Sequence, residues 1–296
     1  MKKVLIIGGT GTLGKALVKT LTTQFETLQI HIFSRDENKQ KALKKDYPNL
    51  ICHTGDICDR DDLIRIAQHK YSYVYHCAAM KHVEVCENHV NKSHKINFSG
   101  TKNVYWILGK YPSVKFIFFS TDKAVAPINV YGYTKAISEK YLLEMNAVYN
   151  NVYIFRWGNI LGSTGSVIHL IMDNLLKGKP VPITDVNMTR FWLQIEEAVD
   201  FVMNTIASKP PGSYWPIYIR SSSLLSLVKE VASILRIIDY EIEDIGIRPG
   251  EKIHEAMIAD KNGVSVESSD YNVFTPHDLN QILYPLVNKL RGDYVS

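Results

Sequence analysis

The chain has 296 residues, 46% hydrophobic and 22% charged, enough to bury one large core or two unequal ones. Its net charge of +4 is small and lies in no long basic run, which excludes a nucleic-acid surface of that kind. No apolar run is long enough to span a membrane, a strand opens the chain where a signal peptide would stand, and Cys52, Cys58, Cys77 and Cys86 lack disulfide-scaffold spacing, so free thiols in the cytoplasm are expected.

Strands and helices alternate from the start. Residues 4–7 (VLII) are an apolar run without polar interruption, predicted as a strand buried on both faces. It leads into Gly8-Gly9-Thr10-Gly11-Thr12-Leu13-Gly14 and then a helical pattern through Ala16, Leu17 and Leu21. Glycines at 8, 11 and 14 let the backbone approach a pyrophosphate, and a helix start favours its charge. A dinucleotide cofactor is therefore expected on this loop, at Gly8, Thr10, Gly11, Thr12, Leu13 and Gly14. A second strand, residues 29–33, ends in Ser34-Arg35-Asp36. An NAD site usually ends this strand with an acid that takes the ribose hydroxyls. Serine and arginine suit a 2′-phosphate instead, which favours NADP, while Asp36 leaves NAD open.

A third strand at 50–54 leads to Gly55-Asp56-Ile57, where Asp56 either accepts from the adenine amine or caps a helix at 60–68. The fourth strand, 73–77, precedes Ala78-Ala79, small enough for a cofactor to lie against the backbone. A helix at 93–109 carries Asn97, and the fifth strand is 114–119. This alternation predicts an α/β fold, a doubly wound parallel sheet with its ligand outside the carboxyl ends of the strands. His76, His82, Cys86, His89 and His94 match no metal-site spacing, and no metal is expected there.

The fifth strand runs into FSTDKAVAPINVYGYTKAISEK, which packs Thr121, Asp122, Lys123, Tyr131 and Lys135 into fifteen positions at that edge. Tyr131 and Lys135, four apart on a helix, share a face. A free tyrosine titrates at about 10, and a nearby ammonium favours phenolate, so Tyr131 is expected to act as a general base near pH 7. Asp122 and Lys123, adjacent in sequence, would titrate as a coupled pair; on the residues alone they read equally well as an exposed ion pair. A sixth strand, 152–156, ends in a Gly- and Ser-rich loop shaped for a ligand, before a helix at 167–177. Met188-Thr189-Arg190-Phe191-Trp192 precedes a helix near 195–207, and Arg248-Pro249-Gly250-Glu251-Lys252 is a turn whose cations suit phosphates. The expected organisation is a dinucleotide-binding domain at 1–157, to which the helix near 191–207 returns, and a smaller substrate-binding region at 158–296.

Taken together, GGTGTLG, SRDENKQ, AAMKHV, STDKAVAPINVYGYTK, RWGNILGSTGSV, MTRFW and RPGEKIHE resemble the extended short-chain dehydrogenase/reductase family, a Rossmann fold. Within it they are most similar to the soluble, C5-inverting 4,6-dehydratases that act on UDP-N-acetylglucosamine. The chain departs at Thr12-Leu13, where relatives often carry Ser-Phe. The resemblance implies that Tyr131, assisted by Thr121 and Lys135, takes the sugar 4-hydroxyl proton while NADP takes the C4 hydride. It further implies that Lys123 removes the C5 proton and that Asp122 protonates the departing 6-hydroxyl. Ile57, Lys81 and Asn97 would join Ser34, Arg35, Asp56, Ala78 and Ala79 at the cofactor. Lys81 and His82 would lie near the sugar, and Asn159, Arg190, Arg248 and Glu251 would hold the UDP. A homo-oligomer is implied as well. Tyrosine at 131, where retaining, membrane-anchored relatives have methionine, resembles the inverting branch. The alternatives on the same fold are a UDP-hexose 4-epimerase or a 4-keto-sugar reductase, which need Tyr131 and Lys135 but not Asp122-Lys123. A catalytically silent NADP-binding regulator would have lost the Tyr131/Lys135 pair.

Overall fold

Apolar runs such as VLII have no solvated face, so they are stable only as strands covered on both sides by helices. The computed structural model describes residues 2–163, 165–260 and 263–295, and it divides into two compact units. The first holds the chain up to Arg156 together with Ile195–Trp215; the second holds Trp157–Gln194 and the chain from Pro216 onward.

In the first unit, β1 (Lys3–Ile7), α1 (Thr12–Gln24), β2 (Gln29–Ser34), α2 (Glu37–Asp46), β3 (Ile51–Thr54), α3 (Arg60–Ala67) and β4 (Tyr73–His76) alternate as expected. They are followed by α4 (Val83–Asn88), α5 (Val90–His94), α6 (Thr101–Val104), β5 (Lys115–Phe119), α7 (Val130–Tyr149) and β6 (Val152–Phe155). After the excursion into the second unit by β7 (Asn159–Ile160), α8 (Val167–Leu176), β8 (Val181–Ile183) and β9 (Thr189–Leu193), the chain returns through α9 (Ile195–Ser208) and β10 (Gly212–Tyr214). The resulting sheet has seven strands in the order β10-β6-β5-β4-β1-β2-β3, all parallel. This is the expected α/β fold, with the order of strands reversing between β1 and β4, where such sheets take their ligands. Leu5, Ile7, Phe33, Val74, Phe116, Phe118 and Ile154 form the core of one sheet face, none more than 1% exposed.

The helix expected at 93–109 is interrupted. Lys95–Gly100 and Tyr105–Gly109 are wound as π-helix, on either side of α6. Asn97 O accepts from Thr101 Oγ1 at 2.6 Å and from Ser138 Oγ at 3.0 Å, so side-chain donors crowd the carbonyl that would otherwise serve the regular ladder.

The second unit adds β11 (Arg220–Ser223), α10 (Leu224–Leu235), β12 (Ile242–Asp244), β13 (Ala256–Asp260), β14 (Gly263–Glu267) and α11 (Pro276–Val295). Strands β11, β9 and β7 form a three-stranded sheet, β12 pairs with β8, and β13 with β14. Helices α8, α10 and α11 bury their apolar stripes in a separate core that includes Ile171, Met172, Leu227, Val231 and Leu283. Thr164, in the Gly- and Ser-rich loop, lies outside the described residues. No helix among the described residues is long and apolar enough to cross a membrane.

Candidate active site

The cofactor end of the first unit is shaped by missing side chains. Gly8 stands at φ +79 and donates its N–H to Phe33 O at 2.8 Å. A Cβ added there would meet Ala78 N at 2.8 Å, and one at Gly14 would meet Gly8 O at 2.5 Å. The loop after β1 therefore closes on the loop after β4 and on α1 only as glycine. Gly11 N-caps α1 with no side-chain cap, and the first turn has no acid, an arrangement suited to a pyrophosphate.

At the end of β2, Arg35 is exposed and Asp36 is committed elsewhere. Asp36 caps α2, accepting from Lys39 N at 3.0 Å, and this bond holds its carboxyl below the usual range. Ser34 Oγ accepts from Gln40 Nε2 at 2.9 Å. Asp56 accepts from Cys58 N at 2.9 Å, while Asp59 caps α3 by accepting from Asp61 N and Asp62 N, so the helix-capping alternative for Asp56 passes to Asp59. Ile57 is buried in the core. Ala78 and Ala79 are half-buried, and Lys81 and His82 are exposed at the start of α4.

Asn97 is held by protein partners. At 1% exposure its Oδ1 accepts from Met80 N at 2.7 Å, and its Nδ2 donates to Met80 O and to Thr134 Oγ1, both at 3.0 Å. It ties the loop after β4 to α7, and so positions Ala78 to Lys81.

Beyond β5, a single 3-10 turn, Asp122–Ala124, carries Asp122 and Lys123. Asp122 is fully buried. Its Oδ1 accepts from Thr121 Oγ1 at 2.9 Å, from Lys123 N at 2.8 Å and from Lys123 Nζ at 3.2 Å. The exposed ion pair considered from sequence is therefore a buried one, with Thr121 as its third member. Tyr131 sits in the first turn of α7, whose start is fixed by Asn129 accepting from Gly132 N at 2.7 Å and by Glu87 Oε1 accepting from Val130 N at 2.5 Å.

The electrostatics of Tyr131 differ from expectation. Burial pushes its phenol up to about 12, outweighing the ammonium of Lys123 and the hydrogen bond with Thr121, which both pull it down. The lysine acting on Tyr131 is thus Lys123. Lys135, one turn further along α7, is 4% exposed; its Nζ donates to Phe119 O at 2.5 Å and lies 4.1 Å from the centre of the Phe118 ring. Burial lowers Lys135 to about 8, against the opposing pull of Glu139 and Cys77.

Gly132, between these residues, escaped the sequence reading although a glycine in a helix's first turn often marks a close approach. A Cβ there would stand 2.2 Å from Lys123 O, because α7 packs directly on the 3-10 turn. Gly132→Ala is expected to cost about 1–3 kcal/mol of stability, as overpacking does, and to depress kcat by displacing Lys123. Urea denaturation alongside steady-state kinetics checks both; an unchanged kcat would mean that the turn absorbs the methyl without moving Lys123.

In the second unit, Arg190 on β9 is 6% exposed. Its Nη1 donates to Thr189 O at 2.7 Å and to Ile253 O at 3.1 Å, so it fastens β9 to the segment after the 248–251 turn. Arg248 is exposed in that turn, where Glu251 N donates to Arg248 O at 3.1 Å and Gly250 takes φ +83. Glu251 Oε2 is buried without a hydrogen-bond partner. Asn159 is half-buried in β7, paired in register with Trp192 of β9. At the end of β4, His76 Nε2 lies 2.9 Å from Thr101 Oγ1, and Cys86 Sγ on α4 is 3.6 Å from Met80 O.

Comparison with known proteins agrees with this fold. The family described as polysaccharide biosynthesis protein matches residues 4–276. Over 284 residues the chain is 36% identical to a UDP-N-acetylglucosamine 4,6-dehydratase (inverting) of Campylobacter jejuni, covering 93% of this chain and 83% of that protein. A UDP-glucose 4-epimerase of Rickettsia massiliae, on another branch, is 33% identical over 267 residues, 87% of this chain and 78% of that one. Among solved structures, Pen from Bacillus thuringiensis superposes with a TM-score of 0.87 at 26% identity, covering 96% of this chain and 97% of that chain. The chain belongs to the polysaccharide biosynthesis protein family, among the extended short-chain dehydrogenase/reductases.

Proposed function

We propose that the chain is an NADP-dependent UDP-N-acetylglucosamine 4,6-dehydratase that inverts C5, giving UDP-2-acetamido-2,6-dideoxy-L-arabino-hexos-4-ulose. The observation that carries this reading is the buried Thr121–Asp122–Lys123 group beside Tyr131, with Lys123 Nζ 3.2 Å from the Asp122 carboxylate. An epimerase or a keto-sugar reductase needs the tyrosine and its lysine, but has no use for a further acid and base. The relatedness to inverting dehydratases over most of the chain supports the same choice.

A bound nicotinamide dinucleotide would supply reversible hydride storage, taking hydride from C4 and returning it to C6. The glycine loop, the uncapped start of α1 and the Ala78-Ala79 backbone fit such a group. To take the 4-hydroxyl proton Tyr131 must first give up its own; Thr121 and Lys123 favour the phenolate but offset the cost of burial only in part. The resulting 4-ketone acidifies the proton at C5. Lys123 needs a neutral amine to remove that proton, and Asp122 needs a protonated carboxyl to release the 6-hydroxyl as water. One proton passing from the ammonium to the carboxylate along their contact provides both forms at once. After elimination, Tyr131 or a water it orients returns a proton to C5 from the other face. The proton on Lys123 then goes back to Asp122, which leaves the net loss of one water.

Incubation with UDP-N-acetylglucosamine in deuterated water, read by mass spectrometry and proton NMR, tests this. Loss of water with deuterium at C5 in the L-arabino configuration is expected. D-xylo early product would overturn inversion, and no loss of water would overturn the dehydratase.

The choice of NADP rests on Arg35, the exposed cation at the end of β2, because Asp36 is held by its helix cap. Arg35→Ala is expected to weaken NADP+ by about 1.5–3 kcal/mol, the range for a hydrogen bond to a charged group, and to leave NAD+ binding nearly unchanged. Equal losses in a fluorescence titration of the two cofactors would assign Arg35 to the loop alone. Arg248 is the exposed cation for the diphosphate, and Arg190 positions the turn that carries it.

A further inference from the structure

His31 is a buried polar residue that the proposed reaction does not use. It lies between Ile30 and Ile32 on β2, and is 1% exposed where a parallel strand ordinarily carries an apolar side chain. His53 on β3 and His69, in the turn after α3, face it. The ring centroids are 5.2 Å apart for His31–His53, 4.8 Å for His31–His69 and 5.0 Å for His53–His69.

We propose that His31, His53 and His69 form a binding site for one divalent first-row transition-metal ion, which fastens the edge strand β3 to β2 and to the turn after α3. One ring nitrogen from each lies within 4.8 Å of the others, and this is the one such group of three potential ligands found among the described residues. His31 Nδ1 is 2.9 Å from His53 Nε2 and 3.3 Å from the Tyr71 hydroxyl. Two nitrogens bound tetrahedrally to zinc at 2.0–2.1 Å stand about 3.3 Å apart, so small rotations of half-buried His53 and His69 bring three donors to bonding distance. Imidazole suits Zn, Ni and Cu, and three histidines leave a fourth position for water or for Tyr71.

Without an ion, the contact between two ring nitrogens must share one proton, and His31 Nε2 is left buried with no hydrogen-bond partner. Whichever ring carries that proton, binding through Nδ1 leaves His31 protonated on Nε2, with no net proton released from neutral rings. Burial first, and then the neighbouring histidines and cations, lower both His31 and His53 to about 4. Of the nearby cations, Arg65 is paired with Asp62 at 2.6 Å, while Lys3 also faces His31 and moderates the affinity. His69 is preset by its N–H on Ile66 O at 3.2 Å, with Lys70 at φ 55 turning the chain behind it.

The test is titration of the full chain with ZnCl2 by calorimetry and with CoCl2 by visible absorption, with melting temperature followed in parallel. One ion per chain, a cobalt spectrum of tetrahedral type and a zinc-dependent rise in Tm are expected. His69→Ala, at a half-exposed turn position, is expected to weaken binding by more than about 100-fold, beyond the loss of an outer-shell partner, and to abolish the rise in Tm. His69→Asn serves if circular dichroism shows the alanine variant misfolded. His94→Ala, at an exposed histidine elsewhere, should bind as wild type. No binding by the wild type, retention in both His69 variants, or an equal loss in His94→Ala overturns the site and leaves a hydrogen-bonded histidine cluster.

Discussion

Asparagine at position 122 is expected to cut formation of the 4-keto product by about 10²–10⁴-fold, the range for losing a positioned general acid. The substitution is well matched to the site. An amide oxygen can still accept from Thr121 Oγ1 and from Lys123 N, now bound to Asp122 Oδ1 at 2.9 and 2.8 Å, so the 3-10 turn should keep its form. What the amide cannot do is take a proton from Lys123 or deliver one to the leaving hydroxyl. Lys123 must then lose its proton to solvent, so deuterium exchange at C5 of recovered substrate should slow at neutral pH and recover as pH rises. Elimination should stay low throughout. Tyr131→Phe, by contrast, should lose both exchange and elimination, because neither begins until the 4-hydroxyl proton has been taken. Mass spectrometry of recovered substrate and product across pH separates these outcomes. A near wild-type rate for Asp122→Asn would make Asp122 a structural residue and remove the main support for the dehydratase over an epimerase.

Lys135 is expected to lower the stability of the protein at neutral pH. Burial lowers it from 10.5 to about 8. The unfolded chain therefore binds this proton more tightly than the folded one, and stability rises with pH wherever the unfolded state holds more protons. That window runs from about pH 8 to 10.5; below it both states are protonated and the cost is constant. Relative to Lys135→Met, wild-type stability should climb through the window with a slope of up to about 1.4 kcal/mol per pH unit, a total of about 3 kcal/mol. Urea denaturation of both proteins from pH 7 to 10.5 provides the comparison. A constant difference between them would mean that Lys135 keeps its ordinary affinity for protons. The bond to Phe119 O and the Phe118 ring would then offset burial completely.

The parallel sheet, the glycine loop and the position of Thr121, Asp122, Lys123, Tyr131 and Lys135 were legible in the sequence because each depends on local spacing. A strand buried on both faces has to read as an unbroken apolar run. A loop pressed against Ala78 N has to contain glycine, and an i, i+4 pair on a helix has to share a face. The family followed from seven such short motifs strung in order.

Only the tertiary structure decided what surrounds those residues. Asp36 and Asp59 are caps and Asp56 is not, which depends on where two helices begin, to within a residue. Asn97 and Arg190 carry the residue types of ligand contacts, and that they also hold Met80 and Ile253 depends on the fold. Tyr131 was expected to be acidified by the lysine one turn away. Burial exceeds that attraction, and the cation that acts on it comes from the preceding turn. The three histidines lie 22 and 16 residues apart in sequence, on two strands and a turn, and come together only when β3 joins β2. Spacing along the chain constrains what is near in sequence, whereas desolvation and long-range contact depend on how the whole sheet is packed, which no short motif encodes.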